Sequence, residues 1–175
     1  MKIFRLFMMM VILVANRASS AETVDSTFSI PGTVGKLSVR LQIQHYEEGE
    51  KIPVVIFCHG LGDNKNNLFF DEITKYALRK NMGVVRFDFN GHGDSDCAFE
   101  KMDAINIQED LRNVIAWTIK QPFTKNVSLV GHSLGGIVVG VVAPEYSDKD
   151  ISGIVMLAPG GSCTGFDVDG KFLWI

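Results

Sequence analysis

Four short, almost entirely apolar runs separated by helical patterns constrain the fold of this chain more than any other feature. The runs are rich in Val, Ile and Phe, and they cover residues 53–58, 83–89, 126–130 and 151–157. Such runs are typical of strands buried on both faces of a parallel sheet. Between them, apolar residues recur at helical spacing. This alternation predicts an α/β fold, in which a mostly parallel sheet is covered by helices on both faces.

Three helical stripes and one antiparallel pair complete the predicted fold. The stripes comprise Phe69, Ile73, Tyr76 and Ala77; Ile107, Leu111, Val114, Ile115 and Thr118; and Leu134, Ile137, Val138, Val141 and Val142, with Pro144 ending the last. Ahead of them, residues 27–30 and 36–45 alternate apolar and polar side chains, as two half-exposed antiparallel strands do. No repeat or linker interrupts residues 22–175, which we interpret as one domain.

The first 21 residues are typical of a secretory signal peptide. Lys2 and Arg5 provide a positive start, residues 6–15 are apolar, and Ser19-Ser20-Ala21 offers small side chains for cleavage. The apolar run of about ten residues is short for a bilayer, which needs roughly 20; a membrane-anchored start is the alternative. We therefore expect a mature chain from Glu22 that is exported to a periplasm or secreted and has no stable membrane span.

The charge balance argues against nucleic acid as a partner. The sequence contains 17 Lys and Arg and 20 Asp and Glu, for a net charge of −3. Three of the basic residues and none of the acidic ones lie in residues 1–21, so the chain from Glu22 has 14 basic and 20 acidic residues and a net charge of −6. An acidic chain without a basic cluster lacks the positive surface that binds phosphates. The three cysteines have no metal-binding spacing, and no metal or cofactor is implied.

The motif Gly131-His132-Ser133-Leu134-Gly135 carries the strongest chemical signal. It directly follows the predicted strand 126–130 and opens the apolar stripe that starts at Leu134. A G-x-S-x-G motif between a strand and a helix is typical of a nucleophile elbow, whose strained backbone exposes the serine hydroxyl. The alternative is a glycine-rich turn with an incidental serine. We predict that Ser133 is a catalytic nucleophile.

A second glycine-rich loop, His59-Gly60-Leu61-Gly62, follows the predicted strand 53–58. Acyl transfer to a serine requires backbone N–H groups directed at the developing oxyanion. In this arrangement the residue after the nucleophile, Leu134, supplies one donor, and the loop after an earlier strand supplies another. Leu61 is our prediction for the second donor. The alternative for this loop is a simple glycine turn.

The segment from Arg86 to Ser95 contains Gly91-x-Gly93, a pair that also occurs in phosphate-binding loops. Asp96 stands where a dinucleotide fingerprint has Gly or Ala, and the residues that follow do not open a helix. We therefore exclude a phosphate site. The segment becomes informative about the family when it is considered together with the two other motifs.

Together, the His59-Gly60 loop, the segment 86–95 and the elbow at residues 131–136 resemble the α/β-hydrolase superfamily. The run Phe87-Asp88-Phe89-Asn90-Gly91-His92-Gly93-Asp94-Ser95-Asp96, followed by Phe99-Glu100, closely resembles bacterial cinnamoyl (feruloyl) esterases. Serine aminopeptidase-like and monoacylglycerol-lipase-like branches are near neighbours. The resemblance covers roughly residues 28–161. It implies an α/β-hydrolase fold, Ser133 as nucleophile, Leu61 and Leu134 as oxyanion-hole donors, and hydrolysis of a small-molecule ester through an acyl-enzyme.

The family's triad follows the chain order Ser, acid, His, but this sequence has no histidine after Ser133. Its four histidines are His45, His59, His92 and His132, and none is a good candidate for the base. The resemblance places the acid after a further strand, beyond a cap-like insertion that starts near residue 158. We expect the fold to be C-terminally truncated inside that insertion. Hydrolytic activity of the 175 residues should then be lost or impaired, because removing triad members costs on the order of 10⁶ in turnover.

Three functions are compatible with these motifs. The first is an exported serine esterase that acts on small aryl or short acyl esters. The second is a non-catalytic module, a truncated α/β fold that binds an ester or a partner in the same cleft. The third is a peptidase or thioesterase of the same fold, since the acyl-enzyme chemistry is shared. Residues 151–157 are expected to form an exposed apolar sheet edge, which promotes association.

Overall fold

The computed structural model describes residues 22–47 and 49–160, without the side chains of Glu22 and His45. The described part contains six strands: β1 (Glu22–Pro31), β2 (Lys36–Tyr46), β3 (Ile52–Cys58), β4 (Gly83–Phe87), β5 (Thr124–His132) and β6 (Ile151–Leu157). It contains three α-helices: α1 (Asp71–Arg79), α2 (Ala104–Ile119) and α3 (Leu134–Val142). Short 3₁₀ turns cover Leu68–Phe70, Phe99–Lys101 and Ala143–Glu145. The predicted signal peptide and the residues after 160 lie outside the described residues.

All six strands form one mixed sheet in the order β1-β2-β4-β3-β5-β6. The pairings of β3 with β4, β3 with β5, and β5 with β6 are parallel. The β1–β2 hairpin is antiparallel, and β2 pairs antiparallel with β4. The predicted α/β architecture, a mostly parallel sheet with an antiparallel start, is therefore confirmed. Within the described residues β6 pairs on one side alone and forms an edge of the sheet.

Helices cover both faces of this sheet, as predicted. On one face, α2 and α3 pack against alternate strand residues, so that Ile56 and Leu129 meet Leu111 and Val138. On the other face, Val55 and the remaining alternate residues pack with α1 in a smaller core. Because successive strand side chains point to opposite faces, a strand buried on both faces must be apolar throughout. This requirement explains the continuous apolar runs in the sequence.

The structure departs from the predicted elements in a few places. β4 ends at Phe87, two residues earlier than predicted, because the chain turns at Asp88, whose carboxylate accepts hydrogen bonds from the N–H groups of Lys65 and Asp94. β5 extends over Thr124–His132, so it includes the start of the Gly131–Gly135 motif. Tyr76 is exposed, since α1 buries the narrower stripe of Thr74 and Ala77. None of the described helices has the length and apolar character needed to cross a membrane.

Candidate active site

Ser133 occupies the sharp turn between β5 and α3. Its backbone has a φ of 52° and a ψ of −116°, a conformation that residues with a side chain rarely adopt. Hydrogen bonds hold it there: the Ser133 N–H donates to the Leu157 carbonyl at 3.0 Å, and the Ser133 carbonyl accepts from Gly136 N at 3.0 Å. The predicted strand–turn–helix context of the serine is confirmed. A strained turn of this kind lifts a serine side chain away from the strand and the helix that flank it.

Two glycines allow this turn to pack closely. A methyl group on Gly135 would collide with the carbonyl oxygen of Cys58, and one on Gly131 would collide with the backbone of Gly135. The start of α3 therefore lies directly against the end of β3, without a side chain between them. Backbone contact at this distance fixes the position of Ser133 relative to the loop that follows β3.

The loop that follows β3 lies beside the serine. A methyl group on Gly60 would be 3.3 Å from Ser133 Cβ. The Leu61 side chain packs against the larger core, and no described residue accepts a hydrogen bond from the Leu61 N–H. Leu134 is the first residue of α3, so its N–H has no acceptor within the helix. The two N–H groups predicted as oxyanion donors are thus unpaired in the described structure; their catalytic role remains a prediction.

Both ring nitrogens of His59 and of His92 are engaged with backbone. His59 Nδ1 lies 2.7 Å from the Gly60 carbonyl, and His59 Nε2 accepts from the Phe89 N–H at 3.1 Å. His92 Nδ1 lies 3.1 Å from the Asn90 carbonyl, and His92 Nε2 accepts from the Gly62 N–H at 3.1 Å. Burial lowers the pKa of His59 to about 4. Neither imidazole is available as a general base, as predicted.

The remaining candidates do not complete a triad within the described residues. The ring of His132 stacks on Phe69 at 4.7 Å between centroids, and its Nδ1 is buried without a described partner. No described side chain forms a hydrogen bond with the Ser133 hydroxyl. Among the carboxylates that follow Ser133, Glu145 pairs with Arg112, and Asp150 accepts from the Ser147 hydroxyl at 2.7 Å. Within the part of the chain that the structure describes, neither a histidine nor a carboxylate is therefore hydrogen-bonded to the Ser133 hydroxyl.

A buried ion pair joins the loop that follows β3 to the segment that follows β4. Lys65 Nζ lies 2.7 Å from Asp88 and 2.6 Å from Asp94, and the side chains of Lys65 and Asp88 are 2% and 0% exposed. Burial lowers the pKa of Lys65, but hydrogen bonds to the two carboxylates outweigh this effect and raise the pKa overall. Sequence reasoning missed Lys65, because Asp63-Asn64-Lys65 has the composition of an exposed turn. The structure contains a charge pair where the sequence suggests a solvated loop.

A second buried carboxylate lies on α2. Asp110 accepts hydrogen bonds from the backbone N–H of Asn90 at 2.7 Å and from the Asn90 side chain. Burial raises the pKa of Asp110 to about 7, although the hydrogen bonds from Asn90 act in the opposite direction. A signal for this residue was present in the sequence: Asp110 follows Ile107 by three residues and precedes Val114 by four, within the buried stripe of α2.

Comparisons with known proteins show which sequences this chain resembles. A family model described as serine aminopeptidase, S33, matches residues 49–164. Protein phosphatase methylesterase 1 of Candida albicans is 25% identical over 113 residues, which are 65% of this chain and 31% of that protein. Monoglyceride lipase of Rattus norvegicus is 27% identical over 109 residues, which are 61% of this chain and 34% of the lipase. The chain thus spans about a third of the length of these curated relatives.

A solved structure shares the fold. Est1E from Butyrivibrio proteoclasticus, determined with ferulic acid bound, superposes with a TM-score of 0.65 and 24% identity. The match covers 70% of this chain and 49% of Est1E. At this level of identity the likeness shows the fold alone. The family model, by contrast, covers more than half of the chain and includes β3, the loop at Gly60 and the Ser133 turn. The chain belongs to the serine aminopeptidase S33 family of the α/β-hydrolase superfamily.

Proposed function

We propose that the protein is a serine hydrolase of carboxylic esters and that it acts through an acyl-enzyme on Ser133. The observation that carries this proposal is the backbone of Ser133, which is strained at φ 52°. The N–H groups of Leu61 and Leu134, next to this turn, have no acceptor among the described residues. Strain of this kind at a turn between a strand and a helix exposes a nucleophile. A methylesterase and a monoglyceride lipase among the relatives support an ester as the substrate.

The proposed reaction has two steps. The Ser133 hydroxyl oxygen attacks the ester carbonyl carbon and its proton passes to a base. The C–O bond to the alcohol then breaks as the base returns this proton to the leaving oxygen, which leaves an acyl-serine and a free alcohol. Water then attacks the acyl carbon and releases the acid and the free serine. In both steps the N–H groups of Leu61 and Leu134 stabilise the oxyanion. The proposed site also requires a histidine base and an acidic partner, which the described residues do not place beside Ser133.

The sequence of the locus tests this proposal first. We expect the DNA past codon 175, in phase or shifted, to encode two further strands that carry an acid and then a histidine. The protein expressed from that longer frame should hydrolyse p-nitrophenyl butyrate, and Ser133→Ala should abolish both hydrolysis and labelling by a fluorophosphonate. Ser147→Ala, in an exposed turn, is the matched control. A stop codon with no such frame behind it would remove the catalytic proposal and favour a non-catalytic module.

Peptide hydrolysis is the second candidate, because the matching family model is described as a serine aminopeptidase. The same acyl-enzyme serves amides and esters. Aminoacyl p-nitroanilides, assayed beside p-nitrophenyl esters with the same protein, separate the two. A larger kcat/KM for the anilides would replace the esterase proposal with a peptidase one.

We also propose that the protein is exported, on the strength of residues 1–21 alone. The test is the N-terminal sequence of protein recovered from the periplasm or the medium, which should begin at Glu22. Recovery of the intact Met1 form from the cytoplasm alone would contradict export.

A further inference from the structure

We propose that His59 and His92 are positioning residues that together orient the Gly60–Leu61–Gly62 backbone, so that the Leu61 N–H is held ready for an oxyanion. The inference rests on the proposed hydrolysis at Ser133 and assigns to two histidines a role other than that of a base. It is carried by four hydrogen bonds that link the two imidazoles to backbone.

The tautomer of His59 follows from its partners. The Gly60 carbonyl can only accept, so Nδ1 must carry the proton that forms the 2.7 Å bond. The Phe89 N–H can only donate, so Nε2 must be unprotonated. The ring is 1% exposed and is packed edge-on to Phe89. His59 is therefore a neutral imidazole that is locked in one orientation and donates to one particular carbonyl.

That carbonyl and the predicted oxyanion donor belong to the same peptide unit. The Gly60 C=O and the Leu61 N–H are joined by one planar bond, and the described chain contains no cis peptide. In a trans peptide the C=O and the N–H point in opposite directions. The same oxygen also accepts from the Asp63 N–H at 3.3 Å, but the bond from His59 is the shorter one. By holding the carbonyl, His59 orients the Leu61 N–H. A hydrogen bond to the carbonyl also polarises the peptide and strengthens its N–H as a donor.

His92 holds the next peptide unit in the same loop. Its Nδ1 donates to the Asn90 carbonyl, so its Nε2 is free to accept from the Gly62 N–H at 3.1 Å. Gly62 has a φ of +72°, a conformation that the loop needs at this position. The two imidazoles lie 5.0 Å apart between ring centroids. The peptides on both sides of the Leu61 Cα are thus each anchored by a histidine.

The anchoring continues into the scaffold. Asn90, which accepts from His92, is itself held by its N–H donating to Asp110 on α2 at 2.7 Å. The loop is therefore tied through His92 and Asn90 to a helix of the larger core. Preorganised donors of this kind stabilise developing charge without having to reorganise during the reaction.

Paired substitutions separate positioning from packing, because the amide of Asn lies near the position of Nδ1 and that of Gln near the position of Nε2. His59 acts through Nδ1, so His59→Asn should retain the function and His59→Gln should lose it. His92 acts through Nε2, so His92→Gln should retain the function and His92→Asn should lose it. The preferred amide is thus reversed between the two sites, and no difference in packing volume produces that reversal.

The measurement is steady-state hydrolysis of p-nitrophenyl butyrate by the protein of the longer frame. We expect kcat to fall about tenfold in His59→Gln and His92→Asn, a fraction of the loss on deleting an oxyanion donor, with KM within about twofold. His59→Asn and His92→Gln should stay within about threefold of the parent in kcat. Equal losses for Asn and Gln at each site, in variants with the same melting temperature, would reduce both rings to packing and overturn the inference.

Nuclear magnetic resonance of the 175-residue chain provides a readout that does not depend on activity. The imidazole ¹⁵N shifts should show both rings protonated at Nδ1 alone, and the Gly62 amide should be protected from hydrogen exchange in the parent and in His92→Gln but not in His92→Asn. Protonation at Nε2 in either ring, or an unprotected Gly62 amide, would overturn the inference. If the spectra agree but Ser133 reacts with no phosphonate or ester in the longer protein, the proposed hydrolysis fails and the loop assignment stands alone.

Discussion

At the scale of single residues, Gly135 is a position where the fold leaves no room for a side chain. A methyl group there would meet the backbone carbonyl of Cys58, which belongs to a central strand and cannot move aside. We expect Gly135→Ala to reduce the free energy of unfolding by about 3 kcal/mol, which urea denaturation would measure.

Gly140 provides the matched control in the same helix. Its added methyl group would contact Met156 Sδ at 3.2 Å, a flexible side chain that can yield. Gly140→Ala should therefore raise the free energy of unfolding by about 0.5–1 kcal/mol, since alanine favours a helix. Equal destabilisation by the two substitutions would mean that the contact at the Ser133 turn is less close than the structure describes.

Lys65 supplies a positive charge to a buried site. Its ammonium group is the cation beside the fully buried Asp88. Removing one partner of a buried pair leaves an uncompensated charge, so Lys65→Met should cost about 3–5 kcal/mol in the same denaturation experiment. Lys75→Met removes an exposed i,i+3 partner of Glu72 and serves as the control, with no measurable change expected. A small effect of Lys65→Met would indicate that water reaches Asp88.

At the scale of elements, two buried groups make opposite contributions to the pH dependence of the free energy of unfolding. Asp110 on α2 has a pKa raised from 3.8 to about 7 by burial, so the folded chain binds a proton there that the unfolded chain releases. Its contribution to stability therefore falls as pH rises from about 4 to 7. His59, after β3, has a pKa lowered from 6.5 to about 4, so the unfolded chain binds the extra proton and stability rises over pH 4–6.5.

Asp110→Asn separates these contributions, because it keeps the shape and removes the titration. In the parent chain the titrations of Asp110 and His59 offset each other. The urea midpoint should therefore change little between pH 4 and 6.5. In Asp110→Asn the free energy of unfolding should rise relative to the parent by about 1 kcal/mol per pH unit over that window. Parallel pH profiles for the two proteins would show that Asp110 is ionised in the fold at pH 5.

The elements themselves were largely predictable, because each depends on local pattern. Four apolar runs became β3, β4, β5 and β6, and the G-x-S-x-G motif became the turn at Ser133. Errors arose where a long-range contact decides the outcome. Tyr76 fits a helical apolar stripe but is exposed, and β4 ends early where Asp88 turns toward Lys65. The pairing of Lys65 with Asp88 depends on two loops, distant in sequence, that come together only in the folded chain.

At the scale of the whole molecule, the candidate site was predictable in part. Ser133, Leu61 and Leu134 belong to sequence motifs that are typical of a particular local geometry. The structure brings Gly60 to the Ser133 turn. The sequence assigned no role to His59 and His92 beyond excluding them as bases. Their partners are backbone groups of Gly60, Gly62, Phe89 and Asn90. Every residue type has a backbone carbonyl, and almost every type has a backbone N–H, so the sequence does not indicate which backbone groups a histidine will bond. Positioning roles of this kind require coordinates.

Strand β6 forms one edge of the sheet within the described residues, and its exposure leads to a prediction about association. Within the described residues β6 pairs with β5 alone, and Ile154, Val155 and Met156 are 47%, 49% and 46% exposed. An apolar edge strand with unpaired backbone groups is a template for a second copy of the chain. We therefore expect the sedimentation coefficient of the 175-residue chain to rise with concentration. Val155→Lys should shift this association to about tenfold higher concentration, since a charged side chain blocks edge pairing. Val34→Lys, in the β1–β2 turn and 43% exposed, adds the same charge elsewhere and should leave the association unchanged. A monomer at every concentration, or an equal effect of the two lysines, would exclude pairing through β6.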